Sequence, residues 1–318
     1  MRRVRTLPIV VLAAALVATG AGTVSAALGD GDARPSATAT TRQAPVDPAN
    51  PCTAPDAAGL RCPDLMMRRP FGLETDRPGR GRVLLRAGNS IENVGAGPAS
   101  LRGRRVVRGS KFMEADQLVR RADGGTRRVD TAGRLEYKYG HLDRRYWKFH
   151  DAARFELWAL DATGTKTTVV RTGPKVAYCL RDLERTRPGL RGTPRREVYP
   201  ACSTNRERRA VTLGTSVGWS DTYPPAYPEQ YIDVTGLRGC FAYVHTADPG
   251  NALWESDEGN NVAQVVVSLP FREGAPRGRC PGREFGQRYR KAGVATGAID
   301  EAWYAKASAE LAAGRGQK

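Results

Sequence analysis

The sequence predicts an all-β protein: an antiparallel β-sandwich with long loops and a short C-terminal helix. From Cys62 to Phe271, short apolar runs recur with turn residues between them, which is the texture of strands rather than of helices. Two pairs of these runs read as antiparallel partners. Arg154-Phe-Glu-Leu-Trp-Ala-Leu160 alternates, turns at Asp161-Ala-Thr-Gly164 and continues as Thr165-Lys-Thr-Thr-Val-Val170. Cys240-Phe-Ala-Tyr-Val-His-Thr246 and Val262-Ala-Gln-Val-Val-Val-Ser-Leu269 flank an acidic loop. About 210 residues are enough for one sandwich core.

Taken in order, residues 1–26 read as a signal peptide. Arg2, Arg3 and Arg5 precede an apolar run from Leu7 to Val17, and Val24-Ser25-Ala26 offers small residues for cleavage. The expected location is therefore extracellular, and no other stretch is apolar enough to span a bilayer. Residues 27–60 are rich in Ala, Pro, Thr, Asp and Gly without periodicity, and read as a disordered linker. The sandwich domain is placed at 61–272. Its first runs are Arg82-Val-Leu-Leu-Arg86 and Ser90-Ile-Glu-Asn-Val94, followed by a turn at Gly95-Ala-Gly-Pro98. Residues 273–318 form a basic tail. Within it Ile299, Trp303, Ala307 and Leu311 fall on one helical stripe, which predicts a helix over 298–312 packed on the sandwich.

The formal charge is +17, most of it from arginine. Such a charge attracts polyanions, and an anionic cell-wall polymer is one candidate partner. The arginines are scattered rather than striped, so nucleic acid is not expected. There is no phosphate-binding loop and no internal repeat. Six cysteines in an exported chain point to disulfides. Order along the chain favours Cys52–Cys62, Cys179–Cys202 and Cys240–Cys280 among fifteen pairings. The middle bridge would close the Arg-, Pro- and Gly-rich stretch from Arg185 to Arg196.

Several separated motifs carry a resemblance to a known family. Cys62-Pro-Asp-Leu-Met-Met67 opens the domain, and Lys175-Val-Ala-Tyr-Cys-Leu-Arg-Asp182 follows later. Then come Gly218-Trp-Ser-Asp-Thr-Tyr223, Gln230-Tyr-Ile-Asp-Val-Thr-Gly236 and the acidic Glu255-Ser-Asp-Glu-Gly-Asn-Asn261. In content, order and spacing these resemble the lysyl oxidase family over roughly 62–271. The resemblance implies a β-sandwich of lysyl oxidase type. It also implies oxidative deamination of primary amines, such as peptidyl lysine, with O₂. Carried over, Lys175 and Tyr223 are the catalytic pair that copper-dependent oxidation joins into lysine tyrosylquinone. A quinone serves as a built-in electron sink for a substrate amine. Lys175 has to be neutral to attack the ring, and burial would favour that form.

The family's copper segment is a His-x-His-aromatic-His run ahead of a strand matched here by Asp151-Ala-Ala-Arg-Phe-Glu-Leu157. Counting back puts Arg144, Tyr146 and Lys148 at the ligand positions; a register shifted by one gives Asp143, Arg145 and Trp147. Neither register supplies the imidazoles that copper(II) prefers. The chain has three histidines. His141 and His150 flank the segment and are the copper candidates of a rearranged site, while His245 reads as a packed sheet residue.

A second metal is also implied by the resemblance. Asp64, the Leu65 carbonyl, Glu255, Asp257, Asn260 and Asn261 would hold calcium, which takes six to eight oxygen ligands. The bland reading of that loop is an Asx-rich hairpin turn. Three functions are thus expected: an amine oxidase with an atypical metal site, a catalytically silent extracellular binding module, or a protein that binds anionic polymers.

Overall fold

The computed structural model describes residues 44–45, 47–53, 59–130, 132–140 and 144–290. A 3-10 turn at Pro51–Thr53 comes first, followed by sixteen strands. These are β1 Leu60–Arg61, β2 Leu65–Met67, β3 Phe71–Asp76, β4 Leu84–Asn93, β5 Ala99–Arg104 and β6 Phe112–Arg121. Next come β7 Thr126–Val129, β8 Arg134–Tyr139, β9 Arg145–Phe149, β10 Ala153–Leu160 and β11 Lys166–Thr172. The last are β12 Ala210–Thr215, β13 Ser220–Tyr223, β14 Tyr231–Asp233, β15 Gly239–Ala247 and β16 Val262–Leu269. All strand pairs are antiparallel. The protein is all-β, as its turn-punctuated runs predict.

The strands form three sheets. One runs β12-β5-β6-β8-β9, with β1 and β7 also on β6. A second is β11-β10-β15-β16, and the third gathers β2, β3, β13 and β14 around β4. One apolar cluster joins them, including Leu85 and Ile91 of β4, Leu101 of β5, Trp147 of β9, Phe155 of β10 and Tyr243 of β15. Both expected antiparallel pairs form. Leu160 faces Lys166 at the β10–β11 turn, and Tyr243 faces Val265 in the β15–β16 ladder.

Strand β4 differs from expectation. The two runs read as separate are one strand of ten residues, all buried. Polar side chains sit along it, so its burial depends on partners. Arg86 pairs with Asp76 at 3.0 Å and donates to the Pro225 and Tyr227 carbonyls. The Asn93 amide donates to the Gly97 and Thr215 carbonyls. Glu92, fully buried, is ion-paired with both Arg68 and Arg187.

The three disulfides are those that chain order favoured. They also correct the linker boundary. Asn50 and Cys52 are buried; Asn50 donates to the Glu255 carbonyl, and Cys52 is bridged to Cys62. The packed domain therefore begins before residue 61, because a disulfide and a buried amide hold its first turn. At the other end, residues just past 272 also pack: Cys280 is bridged to Cys240, and Gln287 bridges to Arg68. The expected signal peptide and the helix at 298–312 lie outside the described residues. Among those described, no helix is long and apolar enough to cross a membrane.

Removing the middle bridge with Cys179→Ser and Cys202→Ser should cost about 3 kcal/mol, as expected for a loop of this size. Denaturant unfolding measures it. A loss well under 1 kcal/mol would mean that the loop's hydrogen bonds to Asp182 hold it without the bridge.

Candidate functional site

The site is built where β13, β9 and the segment after β11 meet. Tyr223 ends β13, whose register against β4 places it opposite Asn89. Gly173 follows β11 and donates to the Phe155 carbonyl, which turns the chain inward at Pro174-Lys175. Lys175 is 1% exposed. Its Nζ lies 4.3 Å from the Tyr223 ring centroid and 4.4 Å from those of both Tyr178 and Tyr227. Residues 48 apart in sequence, Lys175 and Tyr223, are thus in contact.

The amine sits in a cage of three phenol rings. Ring faces favour the ammonium form. Burial opposes it, and the nearby Lys148 ammonium adds repulsion, so the Lys175 pKa is held well below the ordinary lysine value. The Tyr223 phenol is pushed well above its usual value, first by burial and then by the Asp221 carboxylate. Asp221, fully buried two residues earlier, is raised to about 8 by burial, against the pull of Lys175 and Arg181. The result is an amine biased toward its neutral form beside a phenol biased toward its protonated form. This geometry suits addition of the amine to that ring once the ring is oxidised.

The oxidising metal is the test. On β9 side chains alternate, so Tyr146 and Lys148 share one face and Trp147 takes the other. Tyr146 reaches inward, its hydroxyl in hydrogen-bond contact with that of Tyr227. Lys148 is 1% exposed, donates to the Tyr139 carbonyl at 2.7 Å, and has its Nζ 4.9 Å from the Tyr146 ring centroid. Burial lowers its pKa to about 8. Arg144 is exposed. In the shifted register Arg145 is exposed over Tyr139, and Trp147 donates to the Asn205 carbonyl. Asp143 lies outside the described residues.

The two described histidines do not supply copper ligands at the site. His150 sits between Glu136, 3.3 Å from Nδ1, and the Arg134 guanidinium, 3.0 Å from Nε2. His245 is buried, stacked on Phe155 at 3.9 Å, and lowered to about 3 by burial, so it packs as a neutral aromatic. His141 lies outside the described residues. Among those described, no three His, Cys, Asp or Glu side chains gather to hold a metal. The described residues of β9 and its flanks do not fit copper.

The acidic loop behaves differently. Asp64 accepts from the Asn260 amide at 2.7 Å, and Glu255 accepts from the Leu65 backbone N–H and from Asn261. Asp257 caps its own turn through the Gly259 N–H. The side-chain oxygens of Asn260 and Asn261 are buried and accept no hydrogen bond from the described residues. Glu255 is fully buried and pushed well up by burial, with repulsion from Glu258 and Asp248 added. The candidate ligands are therefore brought together. Two amide oxygens lack donors and the carboxylates are crowded, a hard-oxygen set of the kind calcium takes. The three carboxylates Asp64, Glu255 and Asp257 do not converge as a metal-holding trio among the described residues, so amide and carbonyl oxygens would have to complete any calcium set.

Sequence reasoning missed Tyr178 and Tyr227 as walls of the Lys175 cage, and it placed Lys148 at a copper position without seeing its burial near Lys175. Tyr178 stands three residues after Lys175 and Tyr227 four after Tyr223, so the recurrence of tyrosine beside each partner was the available signal. No protein-family model matches the chain, and no curated protein matches it significantly.

Lys148 carries a pH prediction. Its folded pKa, about 8, lies below the ordinary 10.5, so the unfolded state binds more protons between those values. The burial penalty is present below pH 8 and is relieved as pH rises toward 10.5. Wild-type stability relative to Lys148→Met should therefore rise across that window in urea unfolding. A flat difference would show that Lys148 keeps its charge on folding.

Proposed function

We propose that the chain is an exported, lysyl-oxidase-like binding module in which copper amine oxidase chemistry has been lost. The carrying observation is Lys148. On the strand where the resemblance puts copper ligands stands a buried lysine, close enough to Lys175 to depress its pKa. A second cation there repels a divalent metal, and the Tyr146–Tyr227 hydroxyl contact uses the remaining inward position. Three disulfides fit an oxidising compartment outside the cell.

In this reading calcium staples the domain. Asp64, the Leu65 carbonyl, Glu255, Asp257, Asn260 and Asn261 would hold it and tie β2 to the loop before β16. Bound calcium would relieve the repulsion that now raises the Glu255 pKa. Its role is structural.

The 4.3 Å contact between Lys175 Nζ and the Tyr223 ring favours a second reading, an amine oxidase with a mature quinone. Peptide mapping of protein secreted into copper-replete medium separates the two. The module reading expects separate Lys175 and Tyr223 peptides, no reaction with phenylhydrazine and no stoichiometric copper. A cross-linked, phenylhydrazine-reactive peptide would sink it.

Calcium is tested by thermal melting. Adding it after chelation should raise the melting temperature of wild type, and by much less for Glu255→Gln or Asn261→Ala. Equal responses in all three would place the ion elsewhere.

A further inference from the structure

We infer that the chain binds an acidic glycan in a pocket between β1, β6 and the disulfide-closed loop before β12, with Arg61 and Arg120 as the anion-holding pair. This deepens the binding-module reading and rests on it for its purpose.

The register of β1 on β6 sets Arg61 directly opposite Arg120, with Arg121 one position along. Like charges face to face across a ladder destabilise it. Nearby carboxylates could relieve such a pair. Among the described residues, however, neither Arg61 nor Arg120 makes an ion pair; Asp123 is taken by Arg121, and Asp182 is taken by backbone N–H groups across the cavity. Both arginines line a cavity of about 370 Å³, and no Asp or Glu lines it. Arginine forks match carboxylate and phosphate oxygens two at a time.

The pocket is preformed. The Cys52–Cys62 bridge ties down β1. Across the cavity, the buried Asp182 carboxylate accepts from the N–H groups of Val198, Tyr199 and Ser216, all three of which line it. A rigid wall lowers the cost of binding. Val198 is 56% exposed there, beside the half-buried Tyr199. Together they offer an apolar and aromatic surface for the C–H face of a sugar ring. Arg191, Arg195 and Arg196 are exposed on the same loop and extend the positive track beyond the pocket, as a polymer would use. A concave pocket of this size admits single projecting anionic sugars. A duplex, with its two phosphate rails, would need a stripe of cations instead.

The test uses the full secreted protein and four probes: an oligogalacturonate, a glycerol-phosphate glycan, single-stranded DNA and neutral dextran. Calorimetry at physiological salt should show binding to one or both acidic glycans and none to dextran. Arg61→Ser with Arg120→Ser should weaken glycan binding by about tenfold or more, in line with loss of charge-assisted pairs. The same charge removed at the exposed Arg77 and Arg238 should change it little. Val198→Asp, an exposed substitution, should weaken binding like the arginine pair. Because it removes a repulsion, the Arg61/Arg120 variant should melt no lower than wild type. The glycan arms distinguish carboxylate from phosphate as the favoured anion. Equal weakening in both double variants, tighter binding of DNA than of either glycan, no glycan binding, or a lowered melting temperature in the Arg61/Arg120 variant would each overturn the assignment. A Lys175–Tyr223 cross-link would overturn the module reading and leave these binding results standing.

Discussion

Strand β4 is the constraint on which the rest depends. It is covered on both faces and pairs with four strands, yet it carries Arg86, Asn89, Ser90, Glu92 and Asn93 into the interior. A buried polar group without a partner costs one to several kcal/mol. Each of these residues therefore dictates where some other segment must go. Asn93 fixes the Gly95–Gly97 turn and the end of β12. Arg86 gathers the chain around Pro225 and Tyr227, and Asn89 takes the Gln230 amide. Ser90 meets Thr222 at 2.8 Å, one residue before Tyr223. The loops around the Lys175 cage are long, but they are held by the needs of a single strand.

The cage shows how the fold handles buried positive charge. Two lysine amines near one another in a low-dielectric interior cannot both stay charged cheaply. Both have their pKa values lowered, Lys175 the more strongly. Lys148 keeps a carbonyl acceptor, while Lys175 is surrounded by ring faces. The Lys175–Tyr223 contact is a packing contact within a tyrosine cluster. In the proposed module that contact needs no redox role, because the three rings and the amine stem fill buried volume in the core.

What the sequence made legible followed from how local each signal was. The β10–β11 hairpin was readable because alternation and a turn lie within one short stretch. The disulfides were readable because the chain-order neighbours are also spatial neighbours. Strand β4 was split in two because Ala87-Gly88-Asn89 interrupts its apolar pattern. Only the long-range partners of its polar groups show that this stretch is interior. Lys175 and Tyr223 were readable through their flanks. Lys148 was read as a cation hostile to copper, but its burial beside Lys175 depends on β9 packing against the β13–β14 connection, which no local pattern encodes. The linker boundary failed for the same reason: Asn50 is held by Glu255, which lies 205 residues away.

The acidic loop and the lysine cage are linked through β4. Leu65 and Met67 of β2 register with Asn93 and Ile91, while Asp221 and Tyr223 of β13 register with Ile91 and Asn89. The two short strands therefore flank the same half of β4 from opposite sides. Strand β2 has only three residues, and its own ladder gives it little hold. Its position depends on Glu255, which accepts from the Leu65 N–H, and on Met67 donating to the Asn260 carbonyl. Anything that orders residues 255–261 thus steadies one flank of β4, and with it the ladder that presents Tyr223 to Lys175. This gives the loop a reason to persist whatever chemistry the cage performs.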